Sequence, residues 1–215
     1  AHSLRAKAEL KAKPGSWEKI SLVAAYDDIA SIQYFDRMLP GYWARNGKTI
    51  HDMISRALEE HDSLFRRCEA FETAMERDAM EFGSAYTKIC IASYRQTIAA
   101  HKLIADGDGK PVFISKECHS NGCAATVDGT LPTAPLFFLY NPELVRGMMR
   151  PVLKFAKQPI WNYDFAPHDA GRYPHVTGQV YGYRQKPASI QYLEGEAEPD
   201  DYRYPMLWQL PASAD

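Results

Sequence analysis

The sequence predicts a mainly α fold of packed helices, interrupted by one short β-hairpin and followed by long loops. Three observations predict it. From Thr49 to about Met80, Ile54, Leu58, His61, Phe65, Cys68, Phe71 and Met75 recur at steps of three and four, which places them on one face of a long amphipathic helix. From Ala85 to about Ala105, Tyr86, Ile89, Cys90, Tyr94, Ile98 and Leu103 spread apolar character round most of a second helix, the pattern of a central, buried one. Asn141-Pro142-Glu143 then opens a third helix: a capping side chain, a ring pre-set for the first turn, and an acid favoured by the helix dipole.

The elements follow in order along the chain. Residues 1–19 mix Lys, Ala and Glu around Pro14-Gly15 and read as an entry segment without a strong apolar face. Residues 22–43 carry Tyr26, Tyr34, Phe35, Tyr42 and Trp43, with Pro40-Gly41 as a turn, and this aromatic density calls for a large packing surface. Thr49 and Asp52 have the spacing of a capping arrangement at the start of the first helix. Gly83-Ser84 resets the chain before the second. Asp106-Gly107-Asp108-Gly109 makes a tight turn, and Pro111 to Ser115 reads as a short strand. In the third helix Leu144, Met148, Val152 and Phe155 form the inner face, and Pro151 is expected to kink or divide it. Beyond Pro159 no periodic stretch is long enough for an element. A tail of more than 50 residues with no regular structure is unusual in a self-sufficient domain, so further chain that it packs against is expected.

Composition excludes several classes. The 215 residues are 46% hydrophobic and 24% charged, which fits a globular protein with one sizeable core rather than a disordered one. Lys and Arg number 25 against 27 Asp and Glu, and the bases are scattered rather than striped, so nucleic acid is not an expected partner. No apolar run approaches the roughly 20 residues of a membrane span. Four cysteines are too few for a disulfide scaffold, although Cys118 and Cys123 flank Asn121-Gly122, where either a local bridge or two thiols could stand. No metal or cofactor is implied: Asp106 and Asp108 lack the glutamate that closes a calcium loop, and Cys118, His119 and Cys123 lack a fourth zinc ligand at suitable spacing.

Two polar segments concentrate the residues able to do chemistry. The first runs from Ser115-Lys116-Glu117-Cys118-His119-Ser120-Asn121-Gly122 through Asp128 to Pro132 and Pro135, and the second is Phe165-Ala166-Pro167-His168-Asp169-Ala170-Gly171-Arg172-Tyr173-Pro174. Hydrolysis of an amide or a glycosidic bond needs a base for water and an acid for the leaving group. Glu117, Asp128 and Asp169 are the candidate carboxylates, and His168 could move a proton. Lys116, Asn121 and Arg172 are the candidate substrate-binding residues, Arg172 through its bidentate fork. Set against this, Asp before a turn or helix is commonly a cap, adjacent residues outside a helix commonly point apart, and Arg95 in a buried helix needs only a structural partner. No Gly-x-Ser-x-Gly elbow supports a serine nucleophile.

These segments carry a family resemblance. Together with Ala25-Tyr26-Asp27-Asp28, Ser31-Ile32-Gln33-Tyr34-Phe35, Ser93-Tyr94-Arg95-Gln96 and Leu139-Tyr140-Asn141-Pro142, they are similar in order and spacing to the glutaminase A-like family over roughly residues 22–182. The resemblance implies part of an α/α toroid, a six-hairpin-like helical barrel, with a short β-hairpin and long loops. On that basis residues 1–215 are expected to form one domain, the first part of the toroid, with further toroid helices following. It implies an exported protein, secreted or periplasmic or on the cell surface, that converts L-glutamine and water to L-glutamate and ammonia. The expected partners are a small-molecule substrate, glutamine or a sugar, and the remaining domains of the same polypeptide. Cys118 and Cys123 depart from the family pattern. A glycoside hydrolase on the same scaffold and a non-catalytic binding or packing domain are the two alternatives.

Overall fold

The structure, a computed structural model, describes residues 7–11, 13–117 and 122–179. In chain order the elements are β1 (Ile32–Tyr34), β2 (Arg37–Leu39), a 3-10 segment (Tyr42–Gly47), α1 (Ile50–Glu59), α2 (His61–Met80), α3 (Ser84–Ala99), β3 (His101–Ala105), β4 (Pro111–Ser115), α4 (Val127–Tyr140), α5 (Pro142–Ala156) and β5 (His175–Val176). The fold is mainly α, as the sequence predicts. Among the described residues no helix is long and apolar enough to cross a membrane.

Two small sheets organise the half of the molecule that carries the polar loops. β1 pairs antiparallel with β2 and parallel with β5, so Gln33 stands opposite His175 across 142 positions of sequence. β3 and β4 form the hairpin, with Ala105 opposite Pro111 at the turn and His101 opposite Ser115 at the open end. The Asp106 carboxylate closes that turn by accepting from the backbone N–H of Asp108 (3.0 Å) and Lys110 (2.8 Å).

Period-2 alternation on β4 divides the core in two. Val112 and Ile114 face a cluster with Ile32, Ile104, Val152, Phe155, Trp161 and Val176, while Phe113 faces Ala134, Phe137, Val145 and Met148. α5 serves both clusters because its apolar residues recur every three to four positions. It can lie close to the hairpin because Gly147 has no side chain: a Cβ there would sit 3.0 Å from the Pro111 carbonyl oxygen.

Several expectations need correction. The first helix is two: the chain breaks at Glu60 (φ −91°, ψ 0°) without glycine or proline to mark the place. The Thr49–Asp52 capping box at its start is present in both directions. The second helix stops at Ala99, and residues 101–105 are strand, because cross-strand pairing with 111–115 outweighs a local pattern that also suited a helix. That helix is not buried either. Among its residues only Thr87 is fully covered, Ile89 is 62% exposed, and Phe65 on α2 is 61% exposed. Arg95 does have its partner, Glu72 on α2, but on the surface.

The first polar segment, followed above as far as Pro135, enters a helix at Val127, and α4 (Val127–Tyr140) forms in spite of Pro132 and Pro135. Each interior proline costs about 3 kcal/mol in an isolated helix, and the burial of Ala134 and Phe137 against α5 and Phe113 offsets it. α5 also runs undivided through the buried Pro151, and the Asn141 side chain makes no cap bond although Pro142 occupies the first turn as expected. From residue 160 to 179 the chain is irregular apart from β5, as the sequence indicates.

Candidate functional site

Backbone pairing brings the two polar segments together. Ala124 donates to the Gly171 carbonyl (2.7 Å), Ala170 donates back to Ala124 (3.0 Å), and Val127 at the start of α4 donates to the His168 carbonyl (2.8 Å). Cys123 bridges to Arg172, and Lys116 to Ala124. Gly171 is required here: its φ is +128°, and a Cβ would lie 2.4 Å from the His175 carbonyl oxygen.

His168 and Asp169 form a hydrogen-bonded dyad. Asp169 is wholly buried; its Oδ2 lies 2.8 Å from His168 Nδ1, and its Oδ1 accepts from the Gly171 N–H at 2.8 Å. The Cys123 thiol bonds to the same carboxylate. Burial pushes the Asp169 carboxyl above its ordinary range, against the opposing pull of His168, the Gly171 amide and Cys123. Burial, with the Asp169 charge beside it, pushes the Cys123 thiol up to about 12. With Asp169 ionised, Nδ1 of a neutral His168 carries the proton and Nε2 is the acceptor. That Nε2 lies 3.7 Å from an Asp128 carboxylate oxygen in the exposed first turn of α4. The imidazole itself is located by its backbone, whose N–H donates to Gln179 Oε1 at 2.6 Å.

Glu117 stands on the adjoining segment. Its backbone N–H donates to the Cys123 carbonyl (2.9 Å), and its carboxylate accepts from the Thr126 hydroxyl (3.3 Å). Glu117 and Asp128 line one cleft of about 410 Å³ with Lys116, Gln96, His101 and Ser115. The Lys116 ammonium lies 5.0 Å over the Tyr173 ring. Arg172 contributes backbone bridges to Cys123 and His175. Asn121 and Cys118 lie outside the described residues, and with Cys118 the question of a bridge to Cys123.

Of the seven sequence candidates, then, Glu117, Asp128, Lys116, His168, Asp169 and Arg172 fall in one neighbourhood. His168 and Asp169 are joined rather than pointing apart. Sequence reasoning missed Cys123 as a partner of Asp169, Thr126 as the donor to Glu117, and His101 in the cleft, and it named Ser115 only as the start of the first polar segment. Ser115 had a signal, since it opens the polar segment that carries Glu117. His101 had none, because it sat in what reads as helix.

Cys123, His168 and Asp169 each bring a ligand-type atom within 4.8 Å of the others. Bound at about 2.0–2.2 Å to one tetrahedral metal, a nitrogen and an oxygen ligand would lie roughly 3.3 Å apart. The observed 2.8 Å between Nδ1 and Oδ2 is instead the length of a hydrogen bond.

Comparison with known proteins gives one family and one relative. A family profile described as the glutaminase A six helical-hairpin domain matches residues 83–191, half of the chain. The chain is 28% identical over 168 residues to glutaminase A of Aspergillus oryzae, an alignment covering 73% of this chain and 24% of that protein. It thus spans about a quarter of the length of this relative. No solved structure matches.

Proposed function

This chain belongs to the glutaminase A six helical-hairpin family, and from that premise we propose that it carries the acid–base side of an amide hydrolase that converts L-glutamine and water to L-glutamate and ammonia. The observation that carries the reading is the line Asp169–His168–Asp128 beside the cleft that holds Glu117. His168 Nε2 takes a proton from water, and the resulting hydroxide adds to the carboxamide carbon. Asp169 fixes the tautomer and stabilises the imidazolium that forms. The same proton then passes from His168 to the departing nitrogen, the C–N bond breaks, and ammonia leaves with the carboxylic acid as the other product. Lys116 and Arg172 are the cations suited to the substrate's α-carboxylate, with Asn121 the further binding residue, and Glu117 and Asp128 suit its ammonium group. Neither a metal nor a cofactor is needed for these steps.

In this reading residues 1–215 are the first part of an exported α/α toroid, and further helices of the same polypeptide complete the active unit. Exposed apolar side chains such as Phe82 (72%) and Ile89 (62%) support it, since helices of a closed toroid would cover them. The test is ammonia release from glutamine by this chain and by a version extended to its natural termini, each with and without Asp169→Asn. Release that depends on Asp169 supports the proposal. Reducing sugar released from oligosaccharides by the extended form, with no ammonia from glutamine, refutes it and assigns glycoside hydrolysis to the Glu117 and Asp128 carboxylates.

A further inference from the structure

We propose that His101 and Ser115, in the lining of the Glu117–Asp128 cleft, recognise the carboxamide of the substrate and so distinguish an amide from the carboxylic acid formed from it. This rests on the amide-hydrolase reading and adds the group that the cleft selects.

The two residues face one another across the open end of the hairpin, His101 beginning β3 and Ser115 ending β4. The imidazole is clamped. It stacks on Phe113 at 4.2 Å between ring centres and meets Phe137 edge-on at 5.9 Å. Its Nδ1 lies 2.6 Å from the Thr97 carbonyl oxygen. A carbonyl can only accept, so Nδ1 carries the ring proton and Nε2 of the neutral imidazole is an acceptor. Burial, opposed by the Thr97 bond, lowers the basicity of this ring and keeps it in that neutral form.

Nε2 of His101 and Oγ of Ser115 are both buried, and among the described residues neither has a hydrogen-bonding partner. Most buried polar atoms in folded proteins are paired, so two unpaired ones on cross-strand neighbours in the wall of a cleft are an exception that needs a reason. They do not bond each other, and the Phe113 stack together with the Thr97 bond keeps the ring from turning to change that. Together they offer an acceptor nitrogen and a hydroxyl able to donate. A primary carboxamide presents the complement in one plane, an N–H to donate and a carbonyl oxygen to accept. A carboxylate presents two acceptors, and one of them would be set against the Nε2 lone pair. The site therefore holds glutamine by its side-chain amide and loses its grip when that amide has become a carboxylate. Ser115 and Glu117 line the same cleft, so the recognised group sits beside one of its carboxylates.

The test is L-glutamine and L-glutamate titrated into the chain with 15N-labelled histidine, the His101 resonances being identified by their loss in His101→Phe. Glutamine is expected to move the His101 Nε2 resonance in the direction of an accepted hydrogen bond and glutamate to leave it in place. Ser115→Ala is expected to weaken glutamine binding about tenfold, the effect of losing one hydrogen bond, and to leave glutamate binding unchanged. Glutamine bound with the Nε2 resonance unmoved and with full affinity in Ser115→Ala overturns the inference and leaves the amide-hydrolase reading standing. Neither binding of glutamine nor ammonia release, in this chain or in its extended form, overturns that reading and the inference with it.

Discussion

Asp169→Asn changes one oxygen to an NH2 group at a fully buried position, and its consequences can be worked through from the contacts. In the wild type the carboxylate accepts from His168 Nδ1 at 2.8 Å and from the Gly171 N–H at 2.8 Å, with Cys123 on the same group. The amide oxygen can keep the Gly171 bond. The amide nitrogen then faces His168 Nδ1 and can only donate, which moves the ring proton to Nε2 and removes the acceptor on the Asp128 side. A wrong tautomer of this kind costs a serine protease about 10⁴ in turnover, or roughly 5.4 kcal/mol of transition-state stabilisation. A fall of about 10³ to 10⁴ in the rate of ammonia release is expected here, with KM little changed. Stability moves differently. The folded Asp169 carboxyl is raised by burial, so its contribution to stability is fully present below the unfolded value near 3.9 and is lost as pH rises through the folded value. Asparagine carries no such titration. The stability of the variant relative to wild type is therefore expected to rise with pH across that window, as read from urea unfolding. Turnover within a factor of three of wild type, or 15N shifts showing Nε2 still unprotonated at neutral pH, would refute the proposed role of the dyad.

The remaining predictions concern the frame around the site. Gly171→Ala puts a Cβ 2.4 Å from the His175 carbonyl at a φ of +128°, so a loss of at least about 2 kcal/mol is expected in urea unfolding. Phe137→Ala removes a fully buried ring from the contact between α4, α5 and Phe113 and is expected to cost about 3–5 kcal/mol, seen as a lower Tm. His101 has a lowered folded pKa, so its contribution is present above the unfolded value near 6.5 and is lost as pH falls through the folded one. His101→Phe should accordingly flatten the loss of Tm between neutral and mildly acid pH, and an unchanged acid limb would refute this. Glu72→Gln, which breaks a surface pair with Arg95, should change stability by less than about 1 kcal/mol in the same assay.

What was legible in the sequence was what local chemistry decides. Pro142 starting a helix, Thr49 with Asp52 as a capping box, the turn at residues 106–109 and the strand 111–115 all depend on side chains bonding or constraining their own backbone. What was not legible was decided by partners far away in the chain. Residues 101–105 have a pattern compatible with a helix and become strand only because 111–115 are there to pair with them. Residues 127–140 carry two prolines that argue for loop, and they become helix because one face meets Phe113 and α5. Ile89 on α3 and Phe65 on α2 look like core by period and stand exposed.

The candidate site shows the same division, and it explains why residues of two polar segments meet in one neighbourhood. Glu117, His168 and Asp169 lie on irregular segments, with Asp128 just inside the first turn of α4, and irregular segments are where a fold can place polar side chains without giving up core packing. Such loops must then be fixed from outside, and here neighbouring chain does it. The carbonyls of Gly171 and His168 accept the N–H groups of Ala124 and Val127, and those of Ala124 and Gly122 accept from Ala170 and Tyr173, so the second segment is tied to the first before any side chain is considered. That tie makes the adjacency of His168 and Asp169 productive. With Gly171 bound both to Ala124 through its carbonyl and to Asp169 through its amide, the carboxylate is turned inward, and His168 is left between a buried acid and the solvent-facing Asp128. Sequence supplies the His-Asp pair, but a glycine two positions later, in a conformation that side chains rarely adopt, makes it a dyad.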